Sequence, residues 1–103
     1  MAYRTLSIGG ATEDLFVRLP QDALAAVADE AFFALPLGAK IRVENLVETP
    51  GGGAHNTAVG LARLGCDAHF EGILSSDQWG QNLLANMQNE RVNTDCVTIV
   101  EGE

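Results

Sequence analysis

The sequence predicts an α/β protein built around a parallel sheet. From Ala54 onward, helical and extended patterns alternate as helix, strand, helix, strand, the order that crossover connections in a parallel sheet require. The run Gly51-Gly52-Gly53 stands between an extended pattern and a helical one, where a strand hands over to a helix. The 103 residues, 47% of them apolar and only three of them proline, suffice for one compact domain with a core of its own and are too apolar for a disordered chain.

Arg4-Thr5-Leu6-Ser7-Ile8 is a β-favouring run directly before Gly9-Gly10, which predicts a buried strand ending in a turn. Asp14 to Leu19 predicts a second strand, stopped by Pro20. Between Gln21 and Phe33, the alanine-rich stretch Asp22 to Glu30 has the propensity for a helix of two or three turns. From Lys40 to Glu48, Ile41 and Val43 alternate with Lys40, Arg42 and Glu44, as in a strand with one wet face, and the alternation slips after Asn45 in the manner of a bulge or bend.

After the glycine loop, Ala58, Leu61, Ala62 and Leu64 mark the apolar side of a helix that Gly65 stops in the left-handed conformation. Ala68 to Leu74 reads as a mostly buried strand. Asp77 is placed to accept a hydrogen bond from the first turn of the next helix, whose apolar face is Trp79, Leu83, Leu84 and Met87, with Trp79 simplest as a core residue. Cys96 to Val100 is a last strand by composition.

Charge narrows the partners. Fourteen acidic residues against six basic ones give a net charge of −8, which repels nucleic-acid phosphates and anionic lipid headgroups and disfavours an acidic substrate. Neither nucleic acid nor a membrane is an expected partner. The acids are dispersed, as on a solvated surface. No apolar run approaches membrane-spanning length, the N-terminus has no signal-peptide pattern, and Cys66 and Cys96 are expected as reduced, buried thiols in the cytoplasm.

A glycine run before a helix lets a ligand approach the main chain, and the N–H groups of the first helical turn attract acceptor oxygens. Two phosphate motifs are excluded here. No Gly-Lys-Ser or Gly-Lys-Thr follows, and Asn56 stands where a dinucleotide fingerprint starting at Gly51 needs its third glycine. A plain connector remains the competing reading of the loop.

The whole constellation goes further. Gly52-Gly53-Ala54-His55-Asn56-Thr57-Ala58, then Leu64-Gly65 and Gly72, resembles the N-terminal signature of ribokinase-like (PfkB) carbohydrate kinases. Gly9 to Asp14 resembles that family's first strand and turn, Ser76 to Gly80 its acidic pair and helix-opening glycine, and Val92 to Asp95 the step that follows. The resemblance implies a ribokinase-like Rossmann-type sheet, of which residues 1–103 form the N-terminal sugar-binding part, with a small β lid from strands at about 14–19 and 40–48.

It also implies that Asp14, Gly52, Gly53 and Asn56 contact hydroxyls of a sugar or nucleoside, with Thr12 making a weaker polar contact. The chemistry agrees, since a carboxylate accepts two hydroxyl protons and an amide both donates and accepts. A turn or cap role competes for Asp14, and a helix-cap role for Asn56. His55 stands where the family often has a small residue and either bonds substrate or sits at the helix entrance. His69 is expected to be structural.

Ser75 and Arg91 replace glycines usual in the family, and Arg91 is expected to make its helix end differently. The family's phosphoryl-transfer segment Gly-Ala-Gly-Asp, its magnesium-linked acidic motif and its nucleotide site do not occur before Glu103. ATP and Mg2+ are therefore implied for a complete kinase and not for this chain alone, which is expected to be inactive with no catalytic residue of its own. The alternatives are a non-catalytic sugar-binding or regulatory module and a structural half-domain needing a complementing chain. Lid strands or an exposed sheet edge would serve for a homodimer or self-association.

Overall fold

The computed structural model describes residues 2–20, 25–26 and 33–102. The chain divides into two compact units, Met1–Asp14 with Thr49–Glu103, and Leu15–Glu48.

In the first unit β1 (Arg4–Ile8), β6 (Asp67–Ser75) and β7 (Asn93–Val100) form a parallel sheet in the order β1-β6-β7, as the alternation of elements predicts. Helix α1 (Gly53–Arg63) packs on β1 and β6, and α2 (Gln78–Asn89) on β6 and β7. The core lies between the sheet and the two helices, where Ala58 and Val59 of α1 and Leu83 and Met87 of α2 meet Phe70 and Leu74 of β6. Burying each of the larger of these side chains stabilises the fold by about 1.5–3 kcal/mol.

Strand alternation decides which side chains reach that core. Ser7 is the buried residue of β1, while Leu6 and Ile8 point to the other face, as does Ile73 of β6, and all three are exposed. The expected burial of β1 is thus corrected: one face alone is covered. Trp79 is also exposed and is not core, because it sits in the first turn of α2, ahead of Leu83 and Met87 where the helix meets the sheet. Cys66 is half-buried and Cys96 exposed, so the thiols are free as expected but not buried. β7 leaves Cys96 on the uncovered side, in register with Glu71.

Both helices end in the same way. At the end of α1, Gly65 N donates to Ala62 O and Cys66 N to Leu61 O, each at 3.0 Å, with Gly65 at φ 94°. At the end of α2, Arg91 N donates to Gln88 O at 3.0 Å and Val92 N to Met87 O at 2.9 Å, with Arg91 at φ 65°. This is the paired hydrogen-bond motif that normally takes glycine. The expectation that Arg91 ends its helix differently is therefore corrected: the geometry is kept and the arginine takes the left-handed backbone.

The start of α2 matches expectation, with Asp77 Oδ1 accepting from Gly80 N at 3.0 Å. Ser75, where the family usually has glycine, donates from Oγ to the same Asp77 oxygen at 2.5 Å. Gly80 is obligatory, since a Cβ there would run into the Ser75 carbonyl.

Among its described residues the second unit is built on paired strands. β2 (Thr12–Arg18) enters it from the first unit and pairs with β5 (Asn45–Gly51), which leads back out. Glu44 N donates to Arg18 O at 2.9 Å. The expected strand at 40–48 is displaced. Residues 40–44 are not in a strand despite their alternation, and pairing runs instead through Pro50 to Gly51, because a strand forms where a partner exists. The helix expected within 21–33 lies largely outside the described residues. At Ala25–Ala26 it is replaced by β3, which pairs antiparallel with β4 (Phe33–Ala34).

Candidate functional site

The site is assembled where β1 turns into β2 and β5 turns into α1. After β1, Gly9 N donates to Glu71 O at 3.1 Å, extending the sheet ladder by one step before the chain turns through Gly10 and Ala11. The second glycine loop lies directly on that turn. Gly52 has φ 95°, and a Cβ on it would stand 2.6 Å from Gly10 O and 2.8 Å from Ala11 Cα. A side chain at 52 is excluded twice over, by backbone conformation and by space. The contact is completed by His55 N, which donates to Gly10 O at 3.3 Å.

Asp14 is set by the same apposition. Its Oδ2 lies in the space a Cβ on Gly51 would need, and its Oδ1 accepts from Thr12 Oγ1 at 3.0 Å. The carboxylate is thus oriented from two sides by groups that satisfy one of its oxygens. Asp14 is within β2, so its side chain is not consumed by a turn or a cap.

Helix α1 starts without a side-chain cap: its N-cap is Gly52, and no acidic residue occupies its first turn. Asn56 is the first residue to donate back into the helix, to Gly52 O at 2.9 Å, so it is not the cap residue either. Among the described residues the N–H groups of Gly53 and Ala54 have no partner, and nothing lies within 4 Å of a Cβ position on Gly53. A ligand oxygen therefore has both donors and room.

His55 behaves differently from its neighbours. The residue is 3% exposed, with its ring Nδ1 3.0 Å from Asn56 Oδ1 and Nε2 3.1 Å from Asn86 Nδ2. Both ring nitrogens are occupied within the protein. Beside it a cleft of about 370 Å³ opens between α1 and α2, lined by Pro50, Asn56 and Asn86 near the loop. At its other end Arg63 Nε and Nη2 hold the Glu90 carboxylate at 2.8 and 2.5 Å. The Arg63 hydrogen bond keeps the Glu90 carboxyl below its usual range.

Two further polar groups lie outside the site. His69 is bonded to Asp67 at 3.1 Å, and Arg4 to the other Asp67 oxygen at 3.2 Å, on the surface away from the glycine loops. The Asp67 carboxyl is lowered chiefly by His69. Asp77, lowered chiefly by the Ser75 hydroxyl and then by the Gly80 N–H, is engaged in capping α2. Among the described residues no three His, Cys, Asp or Glu side chains converge as metal ligands, and the glycine loop carries no lysine. These residues do not by themselves fit a Mg2+ ion or a triphosphate.

Thr12, Asp14, Gly51 and Gly52 are thus brought into one apposition, and His55 joins it through Gly10. Asn86 was not expected. Its only trace in the sequence is a polar residue three positions after Leu83, on the apolar side of α2.

The chain has the parallel sheet of an α/β protein, with helix starts and a glycine-lined polar crevice at the carboxyl ends of its strands, the place where such sheets hold ligands. The model of the pfkB family carbohydrate kinases matches residues 23–103, and the chain belongs to that family. Over 61 residues it is 38% identical to the bifunctional protein HldE of Aliivibrio fischeri (strain MJ11), a stretch that makes up 59% of this chain and 13% of that protein.

Its ribokinase-like fold superposes on the ribokinase of Cryptococcus neoformans var. grubii serotype A in complex with ADP, with a TM-score of 0.75 and 25% identity over 99% of this chain and 28% of that one. The fructokinase of Xylella fastidiosa with bound ATP gives 0.68 and 25% identity, covering 97% of this chain and 26% of its own. The chain therefore spans little more than a quarter of the length of these kinases. Thr12 and Asp14 precede the residues that the family model matches.

Proposed function

We propose that this chain is the substrate-recognising part of an ATP-dependent kinase that transfers a phosphoryl group to a hydroxyl of a sugar or nucleoside. The observation that carries the reading is the Asp14 carboxylate, held by Thr12 and fitted against Gly51, beside the uncapped start of α1. A carboxylate so held accepts hydrogen bonds from ligand hydroxyls, while free N–H groups at Gly53 and Ala54 donate to ligand oxygens. Gly52 and Gly53 let the ligand reach the backbone, and the Asn56 amide adds a side-chain contact. His55, buried and doubly bonded, supports the loop from behind.

The similarity to kinases solved with ADP and ATP supports ATP as the phosphoryl donor, with Mg2+ as its usual companion. When bound, they supply the transferred group and neutralise its charge. This chain's residues hold the acceptor. Asp14 orients the hydroxyl and is not assigned the role of base, because Thr12 and Gly51 fix it as a binding group. On its own the chain binds acceptor without turning it over. The β2–β5 ribbon takes the part of the lid.

Calorimetric titration with D-ribose, D-fructose and adenosine tests this reading. Heat of binding with at least one of them, lost in Asp14→Ala, is the expected result. No heat with any of the three would sink it.

A further inference from the structure

We infer that Asn86 and His55 act together as positioning residues that fix which end of the Asn56 amide meets the ligand. The inference rests on Asn56 being a ligand contact and names what gives that contact its polarity.

A ring as buried as that of His55 needs a matched partner at each nitrogen. The group facing Nε2 is Asn86 Nδ2, at 3.1 Å. An amide nitrogen only donates, so Nε2 is the bare, accepting nitrogen. The ring proton then sits on Nδ1, where it is donated to Asn56 Oδ1 at 3.0 Å. The Asn56 carbonyl oxygen is thereby engaged inside the protein. Its Nδ2 has no partner among the described residues, and Asn56 is exposed, so position 56 presents N–H donors.

The consequence is a complementary pair. Asp14 only accepts, and Asn56, set in this way, has its oxygen engaged by His55 and turns its N–H donors outward. Together they suit a ligand that offers one hydroxyl proton and one oxygen lone pair, as a polyol does. With the ring proton on Nε2 instead, Asn86 would have to turn its oxygen inward, and bare Nδ1 would demand the Asn56 nitrogen. Position 56 would then present an acceptor beside the Asp14 carboxylate. Asn86 lies on α2, a helix that contributes none of the other residues of the site, and through His55 it sets the polarity of the α1 loop.

The test reads the ring directly. In protein labelled with 15N at histidine and asparagine, long-range proton–nitrogen correlation is expected to show a protonated Nδ1 and a bare Nε2 at His55 before any ligand is added. A proton on Nε2 with Nδ1 bare would overturn the inference even if ribose or fructose binds well. Asn86→Leu removes the donor at similar size and is expected to average the two ring-nitrogen signals and weaken sugar binding about fivefold. Unchanged ring signals and unchanged affinity in that variant would overturn it too.

Asn86→Asp keeps the shape but presents only oxygens, and is expected to draw a second proton onto the ring while Nδ1–H still holds Asn56. Binding that recovers in Asn86→Asp relative to Asn86→Leu separates positioning from lost packing, and binding as weak as in Asn86→Leu contradicts it. If the expected tautomer is present but neither D-ribose nor D-fructose moves the Asn56 side-chain amide signals, Asn56 is not a ligand contact. The ligand-polarity inference then falls with that contact, while the ring assignment stands.

Discussion

The Asp14 carboxylate fills the space that a side chain on Gly51 would occupy. The first glycine of the loop is therefore required by an acidic side chain from another strand, and not by its own backbone.

Gly51→Ala should push Asp14 out of position and break its bond from Thr12. We expect sugar affinity to fall at least about tenfold, with a stability loss of about 1–3 kcal/mol from overpacking. Gly53→Ala, at an open helical position, should leave the melting temperature unchanged or raise it. Calorimetry and thermal unfolding of the two variants make the comparison, and equal effects would contradict the assigned fit.

Gly80→Ala should be far more damaging to the fold. Its Cβ overlaps the Ser75 carbonyl, so the turn from β6 into α2 must open and the Asp77 cap must be lost. A loss of about 3 kcal/mol or more is expected in urea unfolding. A wild-type midpoint would refute the close approach.

Arg91→Gly should stabilise the protein. The arginine holds φ 65° at the end of α2, a conformation that costs a non-glycine residue about 1 kcal/mol. A rise of about 4–8 °C in melting temperature follows for a domain of this size. Sugar affinity, if measured alongside, should not move.

Acid should unfold the protein through its paired carboxylates. Asp67, Asp77 and Glu90 are all held below their ordinary values, by His69, Ser75 and Arg63 foremost. A lowered folded-state value means stability that is complete above the unfolded carboxylate range and is lost as pH falls through the folded values. Urea midpoints measured from neutral pH downward should therefore hold level and then drop below that range. Asp77→Asn should flatten part of the drop.

Much of this was legible in the residues, because local chemistry dictated it. Asp77 before Gly80 signalled a cap, Gly65 a helix stop, and the order of elements after Ala54 a parallel sheet. The alternation at Ile41 and Val43 misled, since periodicity reports which side chains could share a face and says nothing about whether a partner strand is available. Trp79 misled in a similar way: apolar spacing does not say where along a helix the sheet is met. At the site, Asp14 and the glycine loop could be named from their motif. The contact between Asp14 and Gly51 and the reach of Asn86 to His55 could not, because they join residues distant in sequence through tertiary packing alone.

The two helix starts differ in one respect that matters for a chain of net charge −8. Each helix carries a partial positive pole of roughly half a charge at its N-terminus. At α2 that pole is neutralised by Asp77 from the chain itself, whereas α1 begins at Gly52 with no carboxylate in its first turn. The start of α1 thus has no carboxylate of its own, and the Asp14 side chain that reaches Gly51 comes from β2 and leaves the N–H groups of Gly53 and Ala54 unbonded. That helix start draws electron-rich oxygens to the glycine loop at short range, while the surrounding charge turns away ions of the same sign at a distance.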